Sequence, residues 1–227
     1  TWNVFRYLEK RNLLAGLLSS IVGSKMERCE VIYWTYCQTQ PNMGCWDPLQ
    51  QVREKFELNP AKGSEPDLII KTKDALFFIE AKLNASNNTT PSSTDPAVKR
   101  KYETGCESWY NQVFQSPFEQ IAVTDRKYEL LRFWLLGSKI ADRLHTKFYL
   151  VNLVPQEKET NIEPMFRKHI KENVDRVFLR ATWEDIYLYV QKASIASKDK
   201  ETLLRYFSEK TVGYNQNKNL QRAFDIS

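Results

Sequence analysis

The sequence is short of the residues that several chemistries require. Seven glycines in 227 residues form no phosphate-cradling loop, and no serine stands in a nucleophile elbow. Only two histidines occur, His145 and His169. The four cysteines, Cys29, Cys37, Cys45 and Cys106, contain no close pair of the kind zinc sites use. Free thiols are therefore the expectation. No apolar run is long enough to span a bilayer. The first ten residues are interspersed with charge and do not read as a signal peptide. These absences predict a non-secreted protein without membrane association, cytoplasmic, or nuclear if the source is a eukaryote.

What is present describes an ordinary globular chain. Apolar residues make up 42% and charged residues 27%, enough to bury a core without disulfides or a structural metal. The net charge of +5 and pI near 8.9 are compatible with a polyanionic partner. The length predicts one domain over 1–227. Its core spans about 24–154, with an N-terminal helix over 1–23 and a C-terminal α/β extension over 155–227. A homodimer or partner proteins are compatible with this organisation.

Apolar periodicity predicts a helix over 2–22, broken at Gly23, and a second over 25–37. A first strand is expected over 52–58, then strands over 67–72 and 75–83. The polar run 84–96 reads as a long loop, mobile or ordered only on binding. Helices are expected over 97–113 and from Pro117 to 144. A strand follows over 147–154, a helix over 162–173 and a strand over 176–181. Thr182 and Asp185 form a capping pattern for a further helix. A last helix is expected over 198–210.

The informative segment runs from Ser64 to Lys82. A two-residue loop at Lys73 and Asp74 would set Asp67 directly opposite Glu80. Side chains alternate faces along a strand, so Asp67, Glu80 and Lys82 would share one face with Ile69 and Phe78. Leu68, Ile70, Phe77 and Ile79 would line the other. Both faces are apolar, so the sheet should be covered on both sides. Two carboxylates so placed are costly to bury. A hard divalent cation removes that cost and accepts carboxylate, carbonyl and water oxygens. Asp67, Glu80 and the Ala81 carbonyl would form such a set, with Lys82 as an adjacent cation. The competing reading is a surface ion pair between Glu80 and Lys82.

Glu65-Pro66-Asp67 followed by Phe78-Ile79-Glu80-Ala81-Lys82 resembles the motif of the PD-(D/E)xK nuclease superfamily. The resemblance implies a restriction-endonuclease-like α/β core, with a mixed central sheet flanked by helices and additional C-terminal helices. It implies Mg²⁺ or Mn²⁺ at the acidic residues and hydrolysis of a nucleic-acid phosphodiester, DNA first, in restriction, defence or repair. Members of this superfamily often add an acidic residue from the helix before the first strand, which points to Glu27 or Glu30. Some place a glutamine after the motif, which points to Gln120 as a catalytic residue. Lys99, Arg100 and Lys101 are candidate nucleic-acid contacts. Tyr102, Trp109 and Tyr110 are weighed as stacking residues against core packing. The alternative on the same fold is an inactive module that binds nucleic acid or protein.

Overall fold

The computed structural model describes residues 1–34, 45–57, 64–210, 212–214 and 220–222. Its centre is a five-stranded mixed sheet in the order β1-β2-β3-β4-β5. The strands are β1 (Glu30–Tyr33), β2 (Leu68–Lys71), β3 (Ala75–Ala81), β4 (Lys147–Val154) and β5 (Arg176–Thr182). β1, β2 and β3 form an antiparallel meander, and β4 and β5 run parallel to β3. Helices α3 (Asp47–Phe56), α4 (Pro96–Val113) and α5 (Tyr128–Leu144) contribute to the core on one face. Helices α1 (Trp2–Lys10), α2 (Leu14–Val22), α7 (Trp183–Lys192) and α8 (Ser197–Lys210) contribute to the core on the other. The short α6 (Ile162–Arg167) lies between β4 and β5, and a small hairpin, β6 (Val212–Tyr214) and β7 (Leu220–Arg222), follows α8. Among the described residues no helix is long and apolar enough to cross a membrane.

The β2–β3 hairpin has the expected register. Leu68 pairs with Ile79 and Lys71 with Leu76. Lys-Asp is a poor two-residue loop on its own, but Thr72 supplies what it lacks. Its hydroxyl accepts from the Ala75 amide at 3.0 Å, and its own amide donates to the Ala75 carbonyl at 2.8 Å. Side chains divide between the faces as alternation requires. Ile69, Leu76 and Phe78 enter one core, and Leu68, Ile70, Phe77 and Ile79 the other.

Other segments depart from expectation. The helix expected over 2–22 is two helices, because Asn12 turns the chain with φ of 55°. Residues 25–29 are irregular and the following Glu-Val-Ile-Tyr is a strand. β-Branched and aromatic side chains favour the pleated surface there; residues 35–37 of the expected helix lie outside the described residues. The strand expected from 52 is instead α3, in which Leu49, Val52 and Phe56 are buried at a helical spacing; residue 58 is not described. The long helix from Pro117 is broken. A π-helical turn, Gln120–Thr124, leads to Arg126 with φ of 54°, and α5 starts at Tyr128. The expected helix over 162–173 ends at Arg167. The Thr182–Asp185 capping box is formed.

The middle of the polar run, residues 87–89, is held by hydrogen bonds to the rest of the fold. The Thr89 amide donates to the Arg126 carbonyl at 2.8 Å, and Thr89 accepts from the Tyr128 amide at 3.1 Å. Asn87 bonds Glu159 through its backbone amide and Lys127 donates to the Asn88 side chain. These bonds hold the run against the start of α5 and the end of β4.

Candidate active site

The site lies where β2 begins and β3 ends. Extending the β2–β3 ladder one step beyond Leu68–Ile79 sets Asp67 across from Glu80. The Ala81 amide donates to Asp67 Oδ2 at 2.9 Å, so the carboxylate continues the ladder past the last backbone pair. Amide and carbonyl of one strand residue point to the same side. The Ala81 carbonyl therefore leaves the strand toward Asp67 as well.

Glu80 is only 5% exposed. Its Oε1 lies 2.5 Å from Lys82 Nζ, and its Oε2 is buried with no hydrogen-bond partner. Burial pushes the Glu80 carboxyl up to about 7, with Asp67 and Glu129 adding to the effect and Lys82 opposing it. The reading as a surface ion pair therefore fails on burial. Burial also works against the Lys82 charge, but Glu80 and Glu129 together hold its pKa above the ordinary lysine value. Glu129 Oε2 lies 3.3 Å from Lys82 Nζ. It stands in the first turn of α5, where the Thr89 hydroxyl accepts from its backbone amide at 2.9 Å.

Three backbone contacts fix this end of the strand. Besides the Ala81–Asp67 bond, the Lys82 amide donates to the Leu153 carbonyl at 2.8 Å, and Trp183 Nε1 donates to the Lys82 carbonyl at 3.1 Å. Beside Glu80 in the parallel register stands Asn152, fully buried. It accepts from Asn87 Nδ2 at 2.8 Å and donates to Glu159 at 2.9 Å.

A second buried network holds the approach to Asp67. Arg132 donates to Glu57, to Tyr102 and to both the carbonyl and hydroxyl of Ser64. Arg53 donates to Glu57 at 3.0 Å and to Glu65 at 3.3 Å. The residues just before Pro66-Asp67 are thus gripped from α3 and α5.

The structure assembles Asp67, Glu80, Ala81 and Lys82, and it adds Glu129. It does not bring Glu27 to them. Because 25–29 is not helical, Glu27 precedes β1 at the hairpin end of the sheet, exposed and paired with Lys25 at 2.5 Å. Glu30 pairs in register with Lys71, also toward that end. Gln120 donates to Asp125 at 3.2 Å, in a cluster where Asp125 also contacts His169 at 2.7 Å and Lys168 at 2.8 Å. Lys99, Arg100 and Lys101 lie on the first half of α4, with Arg100 exposed and the others half-buried. Tyr102, Trp109 and Tyr110 are core residues.

Sequence reasoning missed Glu129 and Asn152. A single polar residue inside the apolar run of β4 was the available signal for Asn152. Glu129 was hidden inside a helix that proves to be broken just before it.

Among the described residues no group of three or more His, Cys, Asp or Glu side chains is arranged to hold a metal ion. Asp67, Glu80 and the Ala81 carbonyl nevertheless suit a hard cation that keeps several waters. The buried, unpartnered Glu80 oxygen is an atom that such an ion would satisfy. Comparison with known family models, curated proteins and solved structures finds no match to this chain.

Proposed function

We propose that this chain is a Mg²⁺- or Mn²⁺-dependent nuclease acting on DNA, built on a restriction-endonuclease-like core. The observation that carries the reading is the buried Glu80 carboxylate, with one oxygen unpartnered, across the ladder from Asp67 and in contact with Lys82. The antiparallel meander followed by parallel β4 supports the core assignment.

Asp67, Glu80 and the Ala81 carbonyl would hold the ion. When bound, it supplies Lewis-acid polarisation and lowers the pKa of water. Lys82 places a fixed positive charge beside the reacting phosphate, where negative charge grows in the transition state. Glu129 holds that ammonium from the α5 side. The buried apolar flanks, Ile69 and Phe78, keep the local dielectric low and strengthen these interactions. Lys99, Arg100 and Lys101 are proposed to contact phosphates, which sets affinity rather than chemistry.

The test is cleavage of plasmid, single-stranded DNA and RNA with Mg²⁺, Mn²⁺ or EDTA. Glu80→Ala should abolish cutting, and Lys82→Ala should slow it by about 10²–10³-fold, the scale of one lost charge-stabilising donor. Calorimetry should show divalent-ion binding that Asp67→Ala removes. Cutting that persists in EDTA or in Glu80→Ala rejects the mechanism. Among the described residues no third carboxylate is arranged with Asp67 and Glu80 to hold an ion, which favours a second reading, an inactive binding module on the same fold. Nucleic-acid binding without any ion binding would establish that one.

A further inference from the structure

Buried polar atoms that lack a partner point to a further member of the site. Among the described residues there are six on side chains, and four of them are hydroxyl or guanidinium atoms that can donate. The other two, Glu80 Oε2 and Asn87 Oδ1, belong to a carboxylate and an amide carbonyl and can only accept. Both adjoin Asn152. Glu80 stands beside it in the β3–β4 register, one strand spacing of about 4.8 Å away. Leu76, Phe78, Phe148 and Leu150 enter the core beneath α5, so alternation puts Glu80 and Asn152 on that same face, where Lys82 meets Glu129. Asn87 is fully buried, and its Nδ2 donates to Asn152 at 2.8 Å and to Glu159 at 2.6 Å. Turning this amide over would set its oxygen against the Glu159 carboxylate, so Oδ1 is fixed as the free acceptor. Every residue of the arrangement lies inside the continuous described segment 64–210.

We infer that Asn87 belongs to the proposed ion site as a positioning residue, its amide oxygen accepting from a water in the shell of the divalent ion at Asp67, Glu80 and the Ala81 carbonyl. The inference rests on the nuclease reading and adds to it a residue from outside the sheet. A buried acceptor is expensive to leave without a donor. Mg²⁺ and Mn²⁺ sites keep several waters, and each water brings donors that an amide oxygen can take. Groups that hold such outer partners orient the site and raise its affinity. Asn87 is in place before any ion arrives. Glu159 accepts from its backbone amide at 2.7 Å, and the neighbouring Asn88 and Thr89 are bonded to Lys127, Arg126 and Tyr128. The Glu159 carboxylate, which also accepts from Asn152 Nδ2 at 2.9 Å, thereby aims the Asn87 oxygen without itself joining the site.

The experiment measures Mn²⁺ binding to the full chain by calorimetry without nucleic acid, counting the component that Asp67→Ala removes. Asn87→Ala should weaken it by about 10-fold, the low end for one lost outer partner of a metal site. A loosened fold would act in the same direction, so a second variant reverses the sign. Asn87→Asp combined with Glu159→Gln exchanges carboxylate and amide between the two positions. The new amide at 159 donates back to the new carboxylate at 87, the Asn152 amide turns over to match, and the net charge is unchanged. The acceptor facing the ion's water becomes a charged oxygen, and Mn²⁺ affinity should rise about 10-fold above wild type. If the exchange does not fold, Asn87→Asp alone carries the same sign. An affinity that Asn87→Ala leaves within about 3-fold of wild type, short of the effect of an outer partner, overturns the inference. So does an exchange that weakens binding or leaves it unchanged; the Asn87 oxygen then serves a structural water. The two readings fail separately. Binding that depends on Asp67 and ignores Asn87 removes this inference alone, and a wild type without Asp67-dependent Mn²⁺ binding removes the ion site of the nuclease reading itself.

Discussion

Two clusters of buried charge lie on the same side of the sheet, and they are finished to different degrees. In the Glu57 cluster both oxygens of the Glu57 carboxylate are used. Oε1 accepts from Arg132 and Tyr102, and Oε2 accepts from Arg53. Arg132 spends its remaining nitrogen on Ser64. In the Glu80 cluster Lys82 serves two carboxylates, and Glu80 Oε2 is left alone. The first arrangement joins α3, α4, α5 and the strand approach into one body. The second keeps a charge short of partners in a place where burial is expensive. A fully satisfied buried network is a structural joint, whereas an unfinished one retains an acceptor free for a further partner.

The largest effect should come from breaking the finished cluster. Arg132→Ala leaves Glu57 buried with Arg53 as its remaining cation, and removing one partner of a buried pair costs about 3–5 kcal/mol. Urea denaturation measures this, and a loss below about 1 kcal/mol would erase the distinction between the clusters.

Opening the unfinished cluster should act in the opposite direction. The Glu80 carboxyl titrates at about 7 in the fold against an ordinary value of 4.5. The native state therefore binds more protons than the unfolded chain between those values, and stability falls as pH rises through that window. Glu80→Gln removes this dependence. At pH 8 without metal the variant should be more stable than wild type by up to roughly 3 kcal/mol, and the advantage should shrink toward pH 4.5. Melting curves across pH check the sign, and a variant less stable at pH 8 would show that Lys82 already completes the site.

The smallest effect is expected at Glu129. It is partly exposed, and its contact with Lys82 is the longer of the two. Glu129→Gln should change stability by less than about 1 kcal/mol. A larger loss would make Glu129 a structural member of the cluster.

The hairpin was legible as two apolar runs joined by a short polar link. Both faces are apolar, so the pairing that sets Asp67 against Glu80 followed from taking Lys73 and Asp74 as a two-residue loop, and the Thr72–Ala75 bonds bear that loop out. The strand over 147–154 and the capping box at Thr182 were equally direct. The region before the hairpin was not legible, because Glu30–Tyr33 is too short for period 2 to compete with a helical pattern. That error carried Glu27 with it. The Arg132–Glu57 and Lys82–Glu129 pairs join residues 75 and 47 positions apart. No local pattern encodes such contacts.

The peptide groups around Lys82 have a consequence of their own. The Ala81 and Lys82 amides and the Lys82 carbonyl are held by Asp67, Leu153 and Trp183. Two of these three anchors grip main chain at position 82 and none requires a lysine side chain. The main chain at position 82 is therefore held separately from the side chain, which answers to Glu80 and Glu129 instead. Exchanging the lysine for arginine keeps these main-chain bonds and a cation for Glu80 and Glu129, whereas glutamine or methionine keeps the main-chain bonds but takes that shared cation away. A series of such exchanges would vary charge and reach at one fixed point, and differences among its members would report chemistry rather than architecture.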